Sequence, residues 1–382
     1  MDAKIIRPTS DEPAIASYLN RKGCALGLPI NGTFELTARC NFDCKMCYVH
    51  LKKDIEELRK KELTTDQWLS IASEARDMGM IFLLLTGGEP FLREDFATIY
   101  TELIKMGMII SINTNASLYN EEIRDLFRKY RPTRINATLY GGSEETYEKL
   151  CGNASYERVV KNLVSMKEDN LPVRLNVSLT PYNIQDMERI HALSREMQLW
   201  AKGTSYMYPP VRVTGEVGCN HARFEAEEAG RILARWNRLQ DNDEMFRVRA
   251  ERIRNHQMAR ELDSCVDVEQ EGVMCRAGRS SFWATWDGRL LPCGTMDIEP
   301  SNLLTDGFAK AWQDVRERTA KILLPKECAN CAYRPNCGVC AASCKCETGE
   351  FGKAPEYMCR MTKTMCGEVL RMAEQLDLNK EN

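Results

Sequence analysis

Long apolar runs are missing from this chain. No stretch reaches the roughly 18 residues of a membrane span, and Ile81–Leu85 is only strand-length. A surplus of one charge is missing too. The 52 Lys+Arg stand against 55 Asp+Glu, a net charge of −3, which argues against a nucleic-acid-binding face as the main business. Histidine is scarce: His50, His191, His221 and His256 form no spaced pair, and surface or capping roles are expected of them rather than metal ligation. The opening MDAKIIRPTSDEP has no apolar stretch after its charges, so no secretory signal is expected there. Repeats and low-complexity tracts are absent, and the closing DLNKEN reads as a polar tail. A cytoplasmic chain with no membrane and no nucleic-acid partner is expected. Its 382 residues suffice for a sizeable core in one large domain or two.

Cysteine is what the chain has in excess. Seventeen is an odd number, so complete internal pairing is impossible. In the reducing compartment expected for a signal-free chain, clustered thiols bind metal more often than they pair. Three crowd into Cys40–Cys47 and nine fall between Cys275 and Cys359. Cys24, Cys151, Cys219, Cys265 and Cys366 lie outside both sets and read as buried, inert thiols. Cys219 and Cys265 flank a segment expected to cover the site, which makes one of them a candidate ligand or hydrogen donor.

Residues 33–208 alternate short apolar runs with amphipathic stretches. Strands are predicted at Thr33–Thr37, Ile81–Thr86, Met108–Asn113, Thr133–Leu139, Val173–Thr180 and Trp200–Tyr208. Helices are predicted at Thr64–Met78, Glu94–Lys105, Asn120–Lys129, Tyr156–Lys167 and Ile184–Gln198. Thr64 with Gln67 has the capping-box pattern, and Asn183 is the expected cap of the last helix. Six alternations mean parallel strands with right-handed crossovers. The fold class expected is α/β: a partial (β/α)6 TIM-like barrel, open because six units fall short of eight, then a small Cys-rich domain. Residues 1–32 form an N-terminal extension and 209–265 a helical bridge. Residues 266–382 are too poor in long apolar stretches for an independent core and read as a unit folded around metal, ending in a C-terminal helix.

The first thiols form Cys40-x3-Cys44-x2-Cys47-Tyr48 directly after a strand. A structural zinc usually takes four protein ligands. A cubane cluster on three thiolates keeps one iron without a protein ligand, a place for chemistry. This segment resembles the radical S-adenosylmethionine (SAM) enzymes. The likeness extends to Gly87-Gly88-Glu89-Pro90 at the end of the second strand, similar to the family's motif for the SAM amino group. It extends also to Asn113 and Asn115 at the third strand's end. Tyr48 stands where an aromatic side chain normally meets adenine, and Thr180 closes the fifth strand. Relatives often carry Asp where this chain has Tyr140. The resemblance implies a [4Fe–4S] cluster on Cys40, Cys44 and Cys47, and SAM as cosubstrate. One electron would cleave SAM to methionine and a 5′-deoxyadenosyl radical, which takes a hydrogen atom from substrate. A flavodoxin- or ferredoxin-type electron donor is implied.

The C-terminal thiols, Cys275 then Gly288-x4-Cys293, Cys328-x2-Cys331-x5-Cys337-x2-Cys340-x3-Cys344-x-Cys346 and Cys359, are enough for two four-ligand sites. They resemble the SPASM extension of radical SAM enzymes, which carries two auxiliary [4Fe–4S] clusters. The resemblance implies Cys328, Cys331, Cys337 and Cys359 for the outer cluster, and Cys275 and Cys293 for the inner one. Cys340 and Cys344 are expected to complete the inner site, with Cys346 close behind, unless that cluster keeps an open iron. The resemblance also implies a ribosomal peptide substrate, modified by cross-linking, thioether formation, epimerisation or oxidation. The alternatives are a non-peptide small molecule, sulfatase-type oxidation of Ser or Cys to formylglycine, and a zinc-bound scaffold without turnover. Tyr206, Tyr208 and Arg212, at the last strand's end, are candidate catalytic groups.

Overall fold

The computed structural model describes residues 14–48, 55–211, 222–262, 270–296 and 298–381. The α/β architecture is the expected one. Six strands, β1 (Asn31–Glu35), β2 (Phe82–Thr86), β3 (Ile109–Thr114), β4 (Arg134–Thr138), β5 (Val173–Ser178) and β6 (Ala201–Thr204), pair in parallel in chain order. Helices cross between them, among them Thr65–Asp77, Phe96–Lys105, Glu121–Lys129, Tyr156–Glu168 and Met187–Glu196. The sheet does not close into a barrel. Its order is β6-β5-β4-β3-β2-β1-β7-β8-β9, with β7 (Ser281–Ala284) parallel to β1, and β8 (Arg289–Leu291) and β9 (Ser301–Asn302) antiparallel beyond it. β6 is shorter than expected, ending at Thr204, and Ser205–Tyr208 continue outside the sheet.

Local chemistry explains most boundaries. The Gln67 amide donates to Thr64 Oγ1 at 3.3 Å and the Thr64 amide to Gln67 Oε1 at 2.9 Å, so two orphan donors of the helix start are satisfied reciprocally. Asn120 accepts from the Ile123 amide at 3.0 Å. Asn183 behaves differently. A short 3₁₀ turn, Ile184–Asp186, precedes the helix, and the Asn183 side chain makes no cap. Its Oδ1 accepts from the Thr180 amide at 2.7 Å, and its Nδ2 donates to the Tyr140 and Ser178 carbonyls at 2.7 and 2.8 Å. The side chain is spent on tying the ends of β4 and β5 together.

The Cys-rich third of the chain holds more regular structure than its sequence suggests. Beyond the expected C-terminal helix, Glu356–Glu381 and 26 residues long, it contains the helix Leu303–Ala320. Phe282, Leu290, Phe308 and Trp312 belong to the same buried core as Phe34 and Trp68. This explains how a segment without its own large core is supported. Glu356–Glu381 runs against Ala226–Gln240 so closely that a Cβ on Gly230 would lie 2.4 Å from the Met361 carbonyl. Met365, Val369 and Ala373 pack there with Ala234, Phe246 and Ile253. Among the described residues no helix is long and apolar enough to cross a membrane.

Trp312 joins the first and last thirds of the chain. It is buried against Phe282 (ring centroids 6.1 Å apart), and its Nε1 donates to the Gly27 carbonyl at 2.9 Å. Trp312→Ala is expected to cost about 3–5 kcal/mol, read as a lowered urea midpoint in equilibrium unfolding.

Candidate active site

The first cysteine loop is held by main chain at both ends. Beyond the last paired residues of β1 and β2, the ladder continues: Leu36 N donates to Thr86 O at 2.8 Å, Gly88 N to Thr37 O at 2.8 Å and Glu89 N to Arg39 O at 2.9 Å. A Cβ on Gly87 would stand 2.6 Å from Thr37 O, and one on Gly88 2.2 Å from Arg39 O. The two glycines are required because backbone meets backbone here. Arg39 is clamped by Glu62 at 2.9 and 3.0 Å, and Thr37 bonds the same carboxylate. Arg93, almost fully buried, donates to the Leu36 and Leu63 carbonyls at 2.9 and 3.0 Å while paired to Asp95. At the far end Asp43 N and Lys45 N donate to the Cys151 and Leu150 carbonyls at 2.7 and 3.0 Å. Asn41 bonds Ser117 and Asn115 at 2.8 and 2.9 Å.

Cys40, Cys44 and Cys47 thereby line one cavity of about 750 Å³, together with Tyr48, Gly87 and Gly88. Burial raises the Cys40 thiol above its ordinary pKa. Cys44 is raised first by its hydrogen bond to Cys151 and then by burial, against a lowering bond from Tyr140. Without a cation these thiols hold their protons, and a bound metal centre displaces them. Three sulfur donors on a single tightly held loop, beside a glycine wall that leaves main chain near the space, fit an iron–sulfur cluster with one iron left for a ligand.

The other expected cofactor residues divide. Tyr48, Gly87 and Gly88 line the cavity. Glu89 does not. It is fully buried, and its carboxylate accepts from Thr114 Oγ1 at 2.8 Å, Asn115 N at 2.7 Å and Phe91 N at 3.2 Å. It thus fastens the end of β3 to the glycine turn. Pro90, also buried, starts a 3₁₀ turn. Asn113 accepts from Asn136 at 2.8 Å, and Asn115 places Nδ2 3.9 Å from Cys40 Sγ. Thr180 is buried behind the site, and the neighbouring strand residues Asn176 and Ser178 line the cavity in its place.

The cavity is lined as well by Tyr206 and Tyr208 and by residues of the Cys-rich third, including Gly338, Met358, Met361 and Met365. Tyr208 stacks edgewise on Tyr206 at 4.9 Å and stands 6.4 Å from Tyr48. Its hydroxyl lies 3.7 Å from Cys340 Sγ. Tyr206 donates to Glu347 at 2.8 Å, and Arg223 pairs with the same carboxylate at 2.8 and 3.2 Å while lying over the Tyr357 ring. Burial raises both tyrosines above their ordinary pKa, so each is a neutral hydroxyl at physiological pH. Arg212 lies outside the described residues, as do Cys219, Cys265, His50 and His221. Sequence reasoning missed Glu35, which lines the cavity and accepts from Trp283 Nε1 at 2.6 Å, and Lys202 on β6. Both are polar residues within strands, a signal that alternation offers. The Arg223–Glu347 pair, far apart in sequence, had none.

In the C-terminal groups, Cys328 and Cys344 are buried with Cys337 packed on them. Cys293 and Cys340 pack against a separate apolar group. Cys331 and Cys359 are half-buried, and Cys275 is exposed.

Fold and site together define a class: an open parallel α/β barrel carrying a three-thiolate loop at the C-terminal ends of its strands. Residues 34–193 match the Radical SAM superfamily model, and this part of the chain is a radical SAM domain, which implies a [4Fe–4S] cluster and SAM. It is 24% identical over 339 residues to an AdoMet-dependent heme synthase of Methanosarcina barkeri, covering 85% of this chain and 94% of that protein. It is 32% identical over 167 residues to a probable GTP 3′,8-cyclase of Saccharolobus solfataricus, covering 42% of this chain and 52% of that one. The chain therefore spans about half the length of the cyclase. Among solved structures it resembles Streptococcus suis SuiB bound to S-adenosylmethionine, with TM-score 0.62, 16% identity and coverage of 90% and 83%. It also resembles anSMEcpe with bound AdoMet and Kp18Cys peptide, with TM-score 0.65, 14% identity and coverage of 91% and 99%.

Two outcomes test this geometry. Gly88→Ala, by forcing the turn off Arg39, is expected to prevent the first cluster from assembling while the far-UV circular dichroism stays that of the parent. Glu89 carries the second. Burial lifts its pKa from 4.5 to about 7, against three lowering hydrogen bonds. The folded chain therefore binds the proton more tightly than the unfolded chain. Stability is full below pH 4.5 and falls as the pH rises through about 7. Glu89→Gln removes that slope, measured by urea unfolding of the metal-free chain across this range.

Proposed function

We propose that this enzyme cleaves SAM reductively and abstracts a hydrogen atom from a peptide held in the cavity between the two cysteine regions. One observation carries the reading: Cys40, Cys44 and Cys47 line the same space as Tyr206, Tyr208, Gly338 and Met358. A substrate there touches the SAM-binding wall and the C-terminal unit together. The first cluster, when bound, supplies the electron that splits SAM into methionine and a 5′-deoxyadenosyl radical. The protein's own part is to orient substrate and exclude water. The methionines lining the cavity make a soft, adaptable surface suited to an irregular chain, and the Tyr206 and Tyr208 hydroxyls are the proposed proton-holding groups, with Arg212 beside them in sequence.

The proposal assigns residues 33–208 to the radical SAM barrel, 209–265 to a bridge and 266–382 to a SPASM unit with two auxiliary [4Fe–4S] clusters. Cys328, Cys331, Cys337 and Cys359 hold the outer one. A flavodoxin- or ferredoxin-type protein of the cytoplasm supplies electrons. The peptide reading is supported by the whole-length likeness to anSMEcpe with a bound peptide and to SuiB bound to the precursor peptide SuiA. A second reading, a non-peptide substrate, is supported by the nearly full-length match to a heme synthase.

Anaerobically reconstituted enzyme with dithionite is expected to release 5′-deoxyadenosine from SAM, and Cys40→Ala, Cys44→Ala and Cys47→Ala together to abolish that release. Zinc in place of iron and sulfide would overturn the enzyme's radical chemistry altogether. Co-expression with a short Cys- or Gly-rich peptide encoded beside the enzyme is expected to change the peptide's mass, or to incorporate solvent deuterium. An unchanged peptide alongside turnover of a porphyrin carboxylate would favour the second reading.

A further inference from the structure

The helix Ala341–Thr348 carries two cysteines, Cys344 and Cys346. An α-helix turns about 100° per residue, so side chains two positions apart point roughly 200° apart. They cannot both serve one compact centre. Cys344 is fully buried in the group that contains Cys328, Val339 and Met358, with Cys337 packed on it. Cys346 faces elsewhere. Its Sγ donates to the Thr295 carbonyl at 3.4 Å, and Thr295 Oγ1 lies 3.3 Å from Cys293 Sγ. Tyr208, whose hydroxyl is 3.7 Å from Cys340 Sγ, feels the charges of Cys340, Cys293 and Cys346 together. Cys275 in turn stands within the electrostatic reach of Cys293 and Cys340. Cys344 feels Cys328 more strongly than Cys340, while Cys346 is tied through Thr295 to Cys293; one thiol group thus surrounds Tyr208 and Thr295, and another, meeting it at Cys340, surrounds Cys328 and Cys337.

We propose that Cys346, not Cys344, is the fourth thiolate of the inner centre, beside Cys275, Cys293 and Cys340, and that Cys344 is a packing thiol under the outer group. This rests on the reading that the C-terminal cysteines hold two clusters. It differs from the spacing expectation, which took the nearer cysteine. Counting along the chain cannot see that a two-residue step crosses to the other side of a helix. The chemical consequence is specific. A cluster with four protein thiolates has no iron free for substrate, so the inner centre exchanges electrons and does not ligate the substrate.

The test uses full-length protein carrying Cys40→Ala, Cys44→Ala and Cys47→Ala, so that only C-terminal iron is counted. After anaerobic reconstitution this parent is expected to hold about eight irons and eight sulfides per chain. Adding Cys346→Ala is expected to lower this to about four, or to give the EPR signature of a three-iron cluster after mild oxidation. Adding Cys344→Ala leaves iron, sulfide and EPR spectrum as in the parent. Because Cys344 is buried, Cys344→Ser is made alongside, with circular dichroism to verify folding. A Cys346→Ala protein indistinguishable from the parent, or the same loss from folded Cys344 variants instead, overturns the assignment. A parent holding about four irons or fewer overturns the two-cluster reading itself, and the assignment with it.

Discussion

Two stretches of main chain, Thr37–Arg39 and Gly87–Glu89, lie against each other with no room for a side chain between them. Nearly everything at the site follows from that contact. It carries the β1–β2 pairing past the strand ends and so sets where the cysteine loop leaves the sheet. It puts glycine backbone on the cavity wall. It also turns Glu89 inward, where the carboxylate collects the end of β3. A motif expected to serve a ligand directly thus serves first as the joint between the loop and three strands.

Buried charge secures the joint from below. Arg93, Glu62 and Arg39 form a connected set in which guanidinium donors satisfy both carboxylate and backbone oxygens. Pairs of this kind add little net stability over apolar packing, yet removing one partner strands the other, which fixes a single arrangement. Arg223, Glu347 and Tyr206 repeat the device beyond β6, joining the end of the barrel to the Cys-rich third.

Much of this was legible in the residues. Apolar alternation located β1 to β6 within a few positions, though not β7, and Thr64 with Gln67 marked a helix start to the residue. The cysteine triplet and the glycine pair marked the site, since few side chains can serve either purpose. What escaped notice depended on tertiary context. Asn183 looked like a cap because caps are local, but its partners at Tyr140 and Ser178 are not. The helix Leu303–Ala320 was not expected, because its buried face, Phe308, Trp312 and Val315, finds its partners in the barrel core and not in its own third of the chain. The depth of Glu89 was hidden because burial is decided by what arrives from β3.

The pairing of β7 with β1 has a consequence for how the chain is made. Asn31 and Ser281 are register partners across 250 residues. Until the ribosome has released the later strand, the earlier one has an open edge, with Phe34 lacking the cover that Phe282 gives it. So distant a closure is entropically slow. The strand that leads into the cysteine loop therefore keeps an unpaired edge until residues 281–284, some 250 positions later, are available to pair with it.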